Sequence, residues 1–339
     1  MAIKILFLIV CFIAIIITPV PLRWPTNPMN VPAICVICWI TIFNTISFIN
    51  ALIWGGDDDQ FETSWKGAIF CDIETKFIIA SSAGMMAATT AMSRNLARVM
   101  EQTGPLYKTK SVRRRELIQD LLICFWPPIY LMSVHYIVQP NRYYIVRYVG
   151  CTPSVDNSWP TIPLIYIWPP IIGFAAAYYA SRSIYLVRNY QKKFSEDVNS
   201  SISGASKSRF MRLFIISTFM VSVNFPIVLY IFYHNLKYPM IPYSWHLVHT
   251  QGWGYIPYIK NDSIQFDHWI PAFAGIVCFI FFGTGREATQ IYKRWFEAVG
   301  LEAYFPDLLL RKKALAKTGG GSSMGSWVSR KLFSSFSTS

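Results

Sequence analysis

Seven apolar stretches of this 339-residue chain alternate with polar segments, and each is long enough to cross a bilayer. A spanning helix needs about 20 predominantly apolar residues to cross roughly 30 Å of hydrocarbon, and runs of that length satisfy their backbone polar groups as helices. The pattern predicts an all-α membrane protein, a bundle of seven transmembrane helices. The predicted spans are Ala2–Val20, Val31–Trp54, Phe70–Ser93, Leu117–Val138, Pro160–Val187, Leu213–Tyr233 and His268–Gly285.

The basic residues between the spans fall mostly on one side of the membrane. Most of the 31 lysines and arginines follow the third, fifth and seventh spans, whereas the acidic run Asp57–Asp59 follows the second. Cytoplasmic loops carry an excess of Lys and Arg, so we predict that the N-terminus is outside and the C-terminus is cytoplasmic. The first span also resembles a secretory signal peptide, because Lys4 precedes a short apolar run. It lacks a small-residue cleavage site, so we favour a retained helix.

The chain divides into a seven-transmembrane domain over residues 1–285 and a cytoplasmic tail over residues 286–339. Apolar tail residues recur at three- and four-residue steps, which predicts a short interfacial helix in the membrane plane. These residues are Tyr292, Trp295, Phe296 and Val299. Beyond them, Gly319–Ser323 is typical of a flexible Ser/Gly-rich end.

The formal net charge of +13 would indicate nucleic acid binding in a soluble protein. Here the excess charge lies in the predicted inner loops and tail, so we predict no nucleic acid partner. Anionic membrane lipid and an acidic cytoplasmic protein both remain as partners for this surface.

No motif of a hydrolase, metalloprotease, P-loop or dinucleotide-binding protein occurs in the chain, so we predict no enzyme activity and no cofactor. His246 and His249 are three residues apart without a third ligand, so we predict no metal site. A seven-helix transporter or channel is the alternative class. The lack of an internal repeat and the scarcity of intramembrane charge disfavour it.

Ionisable residues within spans are functional candidates by default, and four occur here: Glu74, Lys76, Asp120 and His135. We expect Asp120 and His135 at the membrane interfaces, because they lie near helix ends. Asp72 is four residues before Lys76 and can pair with it on one helix face. Snorkelling of Lys76 toward the interface is the alternative.

Two cysteines and one asparagine lie on the predicted outer side. Cys71 opens the third span and Cys151 lies in the second outer loop, where a disulfide can persist, and we predict that they form one. Asn261-Asp262-Ser263 is an N-glycosylation acceptor in the third outer loop. Asn199 lies in a second such motif on the predicted inner side, so we expect sugar at Asn261 or nowhere.

Five segments together carry a resemblance to a known family: Cys71–Lys76, Gln139–Pro153, Phe210–Leu213, Tyr243–His249 and Phe281–Ala288. The chain resembles the fungal receptors for lipidated mating pheromones, the a-factor receptor type of class D G-protein-coupled receptors. The resemblance implies a plasma-membrane receptor. Its ligand would be a short secreted peptide with a farnesylated, carboxymethylated C-terminal cysteine. It also implies nucleotide exchange on a heterotrimeric G protein. Arg147 departs from the family, which often has an acidic residue there.

A lipidated peptide needs an apolar slot with a few polar groups that orient it. Polar and aromatic residues of the predicted outer half are therefore our candidate ligand-binding residues, with an aromatic belt at the membrane interface as the alternative for the aromatic ones. They are Glu74, Lys76, Tyr130, Trp159, Tyr166, Trp245, His249 and Trp253.

Basic residues bracket the predicted inner ends of the third, fifth and sixth helices, and Pro226 lets the sixth helix pivot. We predict that they contact the G protein, with topology and binding of anionic lipid as the alternative. They are Arg94, Arg98, Arg113, Arg114, Arg115, Lys192, Lys193, Arg209 and Arg212. The oligomeric state stays open.

Overall fold

The computed structural model describes residues 2–23, 30–56, 61, 63–101, 109–194, 204–249, 253–261, 263–264 and 266–283, with only the backbone described at 2, 23, 190–194, 204–209 and 267. The chain forms two compact units, Met1–Phe281 and Phe282–Ser339. The predicted interfacial helix and linker of the tail, the acidic run Asp57–Asp59, and Asn199 lie outside the described residues.

Within these residues, seven helices have 16 or more residues. They are α1 (Ala2–Ile17), α2 (Val31–Ile53), α3 (Ala68–Glu101), α4 (Lys110–Val134), α5 (Trp168–Phe194), α6 (Gly204–Leu236) and α7 (Phe266–Gly283). Between them lie the 3₁₀ helices Val20–Arg23 and His135–Val138, the π-helical turn Ile162–Tyr166 and the five-residue helix Trp245–His249.

Local sequence sets the start of two helices. Asn30 precedes α2, and its side-chain oxygen accepts a hydrogen bond from the Ala33 N–H at 3.4 Å. Thr109 precedes α4 and accepts from the Val112 N–H at 3.5 Å. Each cap satisfies a backbone donor that has no partner within the helix, so the chain enters both helices at a defined residue.

Five segments are long and apolar enough to cross a membrane by length and composition, and His268–Gly283 forms a shorter apolar helix. The five are Ile3–Leu22, Val31–Ile53, Lys110–Val138, Ile162–Asn189 and Phe210–Leu236. The predicted third span, Phe70–Ser93, lies in α3, which is longer than predicted but less apolar than the five. The reason is its position: α3 packs against α2, α4, α5 and α6.

Small residues on α3 allow this central position. Ala83, Ala87 and Ala91 are buried, and they let neighbouring backbones approach closely. Gly84 lies against Trp39 of α2, where an added Cβ atom would come within 2.4 Å of the indole ring. The middle of α3 is surrounded by other helices and meets little lipid, so its sequence can be rich in Ala, Ser and Thr.

Helix α7 packs beside α1 and α2. The buried Asn44 side chain of α2 donates to the carbonyl oxygens of Ile40 at 2.9 Å and Pro271 at 3.0 Å. Gly275 lies against α1, where an added Cβ atom would come within 2.5 Å of the Thr18 hydroxyl. A hydrogen-bonded amide and a close helix contact therefore hold α7 against the first two helices.

Three connecting segments fold together at the end of the bundle where α2 ends and α3 begins. We call this the loop cap, formed by the described residues of 54–67, 139–158 and 253–261. Strand β1 (Tyr144–Val146) pairs antiparallel with β2 (Gly150–Thr152) and parallel with β3 (Tyr258–Ile259). The sheet thus joins two segments that are distant in sequence.

The loop cap has its own hydrophobic core. Its fully or almost fully buried members are Trp54, Phe61, Cys71, Tyr143, Ile145 and Cys151. Cys71 of α3 and Cys151 of β2 form a disulfide, with their Cα atoms 5.4 Å apart. The Tyr143 hydroxyl donates to the Lys66 carbonyl at 2.9 Å, and burial raises the pKa of this phenol, so it stays a donor. The covalent bond and this core attach the cap to α3.

A tight turn between β1 and β2 seats the cap on α2. Gly150 has a φ of +80°, which is favourable for glycine and strained for other residues. The amide of Asn50 lies directly beneath it and donates to the Val149 carbonyl at 2.8 Å. A Cβ atom on Gly150 would come within 2.4 Å of the Asn50 side chain.

We expect Gly150→Ala to lower the free energy of unfolding by roughly 1–3 kcal/mol, through backbone strain and the clash with Asn50. Thermal unfolding of the purified protein measures this. Gly254→Ala is the matched control, because a Cβ atom there would meet nothing within 4 Å. Equal melting temperatures for the two variants would contradict this account of the turn.

Candidate functional site

An open cavity of about 480 Å³ lies where the start of α3 and the end of α4 meet the loop cap. Its lining combines charged, amide, aromatic and thioether side chains, which suits a ligand with both polar and apolar parts. The lining residues are Asp72, Lys76, Met132, Tyr136, Gln139, Arg142 and Trp253. Of the predicted ligand-binding residues, Lys76 and Trp253 line this cavity.

Two partners fix the ammonium group of Lys76. Its Nζ lies 2.9 Å from His135 Nδ1 and 2.9 Å from Gln139 Oε1. His135 Nε2 lies 2.8 Å from the Ser154 carbonyl oxygen, so this nitrogen carries the proton and Nδ1 accepts from Lys76. These bonds use two of the three N–H groups of the ammonium. His135 lies at the end of α4, as predicted, and it is fully buried, because its ring bridges α3 and the cap.

The second cation at the cavity is paired. The guanidinium of Arg142 donates to both carboxylate oxygens of Asp72. Its Nε donates to Oδ1 at 3.1 Å, and its Nη2 donates to Oδ2. Hydrogen bonding to Asp72 raises the pKa of Arg142 above its ordinary value. Asp72 therefore binds Arg142 of the cap, and not its helix neighbour Lys76. With two cations and one carboxylate, these three side chains have a net charge of +1.

Aromatic rings form the wall on the other side. Tyr136 packs edge-on against Trp253 at 5.6 Å and Trp245 at 6.1 Å between ring centroids. His249 stacks on Trp245 at 3.8 Å, so the structure brings three of the predicted ligand-binding residues together. The Nε2 atom of His249 lies 2.9 Å from the Tyr136 carbonyl oxygen, and its Nδ1 atom lies 3.1 Å from the Trp245 carbonyl oxygen.

The other four predicted ligand-binding residues neither line the cavity nor belong to this aromatic wall. Glu74 is buried on another face of α3, where it accepts a hydrogen bond from Asn50. Tyr130 packs against Trp168 at 4.8 Å. Trp159 is 62% exposed, and Tyr166 ends the π-helical turn.

Five lining residues are absent from the predicted ligand-binding residues: Asp72, Met132, Tyr136, Gln139 and Arg142. Gln139 and Arg142 lie in the Gln139–Pro153 segment that carries the family resemblance, and Asp72 lies in Cys71–Lys76. The family resemblance of those two segments could therefore have pointed to these three residues. Met132 has no distinguishing sequence feature.

At the opposite end of the bundle, Arg94 and Arg98 of α3 are bound to α4. Gln119 Oε1 accepts from Arg94 at 2.7 Å and from Arg98 at 3.0 Å. Arg94 also lies 3.7 Å from Asp120, and Asn95 donates to Asp120 at 2.7 Å. Asp120 is buried, because α3 supplies its partners, and its position at the membrane interface stays a prediction. We call these five residues the α3–α4 polar cluster.

The other predicted coupling residues differ in exposure. Arg113, Arg114 and Arg115 are exposed in the first turns of α4, and Arg212 is half-buried in α6. The side chains of Lys192, Lys193 and Arg209 lie outside the described part of the chain.

The predicted glycosylation site lies in the cap. Asn261 Oδ1 accepts from the backbone N–H and from the hydroxyl of Ser263, both at 3.3 Å. Ser263 is exposed, so the acceptor motif is at the surface. Glycosylation at Asn261 stays a prediction.

Comparison with known families decides the class of the protein. The family model described as "Pheromone A receptor" matches residues 6–300. The chain belongs to the pheromone A receptor family. Families of this kind are seven-transmembrane receptors and not enzymes, so α1–α7 form a seven-transmembrane bundle.

Curated members of the family are similar over most of this chain. It is 28% identical to the pheromone a factor receptor of Saccharomyces cerevisiae, over 86% of this chain and 61% of that protein. It is also 28% identical to the pheromone B beta 1 receptor of Schizophyllum commune, over 90% of this chain and 57% of that protein. Pheromone receptor 1 of Ustilago hordei is 26% identical, over 80% of this chain and 77% of that protein. The chain thus spans about three fifths of the length of the first two. No solved structure matches the chain.

Proposed function

We propose that this chain is a plasma-membrane receptor that binds an extracellular farnesylated peptide pheromone and activates a heterotrimeric G protein. The observation that carries the proposal is the Pheromone A receptor match over residues 6–300, which includes α2–α7 and most of α1. The relatives compared above are pheromone receptors in three fungi.

The cavity supports a peptide ligand with a lipid group. Lys76 offers hydrogen-bond donors, whereas Tyr136, Met132 and Trp253 offer apolar surface. A volume of about 480 Å³ is within the usual range for ligand pockets and holds part of a lipopeptide rather than all of it. The adjoining Trp245 and His249 extend the surface along the cap.

The loop cap belongs on the extracellular side in this proposal. The disulfide between Cys71 and Cys151 persists in an oxidising compartment, and Asn261 with Ser263 provides a surface acceptor for sugar. The basic ends of α3 and α4 then face the cytoplasm, as the positive-inside rule requires.

The cytoplasmic end supplies two kinds of basic residue. The exposed Arg113–Arg115 are placed to attract an acidic surface of the G protein, or anionic lipid of the inner leaflet. Arg94 and Arg98 are held in the α3–α4 polar cluster. A helix movement that breaks the cluster would release them toward the partner.

We expect cells that express this chain with a fungal G protein to show nucleotide exchange when challenged with farnesylated peptides from compatible mating partners. The same peptides without the farnesyl group should give little or no exchange, because the lipid supplies most of the apolar contact. Cells without the receptor are the control. Equal responses to both forms would contradict a lipopeptide ligand, and ion or solute flux without exchange would favour the transporter or channel class.

A further inference from the structure

The cavity beside Lys76 has a polar end that is already assembled. Gln139 and His135 hold the ammonium, and Arg142 is occupied by Asp72. The third N–H of the Lys76 ammonium is not used by these two partners. The polar end therefore offers a hydrogen-bond donor of fixed position without a carboxylate bound to it.

An apolar stripe runs along α3 next to this polar end. Residues three and four apart lie side by side on a helix, so Ile69, Ile73 and Phe77 flank Asp72 and Lys76. Their side chains are 74%, 56% and 36% exposed, respectively. In a membrane-spanning helix such side chains meet lipid, and Phe77 lies deeper in the bilayer than Asp72.

Helix α4 supplies a second wall with the same polarity. Tyr136 and Met132 line the cavity, and Ile129, one turn deeper in the bilayer, is 54% exposed. We call the cavity, together with the exposed surface of α3 and α4 below it, the groove; it is polar where it meets the cap and apolar below. This gradient matches an amphiphile that lies at the membrane interface.

The loop cap covers the start of α3 from the extracellular side. Arg142 is bound to Asp72, Tyr143 to the Lys66 carbonyl, and the Tyr258 hydroxyl donates to the Ser64 carbonyl at 2.9 Å. These bonds attach the cap to the start of α3 and to the segment before it. The exposed apolar stripes face the bilayer.

We propose that the prenylated C-terminal cysteine of the pheromone enters this groove from the outer leaflet. The isoprenoid lies on Ile73, Phe77 and Ile129, and the ester carbonyl of the cysteine accepts a hydrogen bond from Lys76. This inference rests on the function proposed above and adds the site, the orientation and the route of the lipid group.

The ester suits this polar end better than a free carboxylate. An ester carbonyl is uncharged, so it accepts from Lys76 without competing with Asp72 for Arg142. Arg142 then keeps its bond to α3, and the cap keeps its position. His135 is a positioning residue, because it fixes the ammonium and does not face the cavity itself.

The test uses the full chain in phosphatidylcholine nanodiscs and one defined probe, N-acetyl-S-farnesylcysteine methyl ester with a diazirine in the isoprenoid. Photolabelling followed by peptide mapping should place the label on the α3 peptide with Ile73 and Phe77 or the α4 peptide with Ile129. Lys76→Met should weaken probe binding roughly tenfold, as expected for the loss of one charge-assisted hydrogen bond. Lys66→Met, at an exposed lysine of the cap, is the matched control and should leave binding unchanged.

Three results would overturn the proposal: label confined to other helices, equal weakening by Lys66→Met, or competition by phosphatidylserine as strong as that by the unlabelled ester. The last would identify a site for bilayer lipid. The photolabelling is done on the protein without substitutions, so its result holds even if a variant fails to fold. If farnesylated peptides drive nucleotide exchange but the label lies elsewhere, only this subsite fails. If no farnesylated peptide drives exchange, the proposed function fails whatever the map shows.

Discussion

Replacing Cys71 with serine should nearly abolish the pheromone response and strongly reduce the amount of receptor at the cell surface. The disulfide to Cys151 closes a loop with a sequence separation of 80 residues. Loss of such a crosslink lowers the free energy of unfolding by roughly 4 kcal/mol, because the unfolded chain gains conformational entropy. Both cysteines are fully buried in the core of the loop cap, so the variant also leaves polar hydroxyl and thiol groups there.

The response should fall further than the surface level, because the disulfide positions the ligand cavity. Without it, the segment that carries Gln139 and Arg142 is no longer fixed to α3, where Asp72 and Lys76 lie. Surface labelling and nucleotide exchange measured on the same cells separate the two effects. Cys38→Ser is the matched control, since Cys38 is an exposed, unpaired cysteine of α2. A Cys71→Ser receptor with ordinary surface level and response would show that the crosslink is dispensable.

Helix number could be predicted from the sequence because apolar length is a local property. Each predicted span coincides with one of the seven long helices among the described residues. Helix α3 is less apolar than the five long spans, because its buried face is made of residues such as Ala83, Gly84 and Ala87. A run of small residues signals helix packing, but it does not state which helices pack there.

The candidate site could be predicted only in part, because its geometry depends on contacts between distant segments. Lys76 was identifiable as an ionisable group within a span. Its partners His135 and Gln139 are 59 and 63 residues away in the chain, so no local pattern links them. Glu74 was predicted to bind ligand because it is an acidic residue within a span. Its side chain instead lies on the face of α3 that packs against Asn50, which the sequence does not reveal.

The loop cap was the least predictable element. The short strands β1–β3 have two or three residues each, too few for a period-two pattern to appear. Strand β3 reaches β1 from more than a hundred residues further along the chain. Aromatic residues near the cap divide between its buried core, as Tyr143 does, and the cavity wall, as Tyr136 does.

Asp120→Ala should strongly destabilise the protein, because it breaks the α3–α4 polar cluster at the proposed cytoplasmic end. The side chains of Arg94 and Asp120 are only 12% and 11% exposed, and they lie 3.7 Å apart. Removing one member of a buried ion pair leaves the other charge buried and costs roughly 3–5 kcal/mol. Asn95 would also lose its acceptor at 2.7 Å. We therefore expect a large drop in melting temperature and low surface expression.

Glu101→Ala is the matched control, because it removes the carboxylate of the Arg182–Glu101 pair between α3 and α5. Those side chains are 47% and 36% exposed, so water replaces the lost partner and stability should change little. The double variant Arg94→Met/Asp120→Leu should recover much of the stability lost in Asp120→Ala, since it removes both buried charges together. Thermal unfolding of the four purified proteins, the parent included, measures these differences. If Asp120→Ala melts no lower than Glu101→Ala, the α3–α4 polar cluster does not hold these helices together. If the double variant is stable but fails to drive nucleotide exchange, Arg94 acts on the G protein in addition to its role in the cluster.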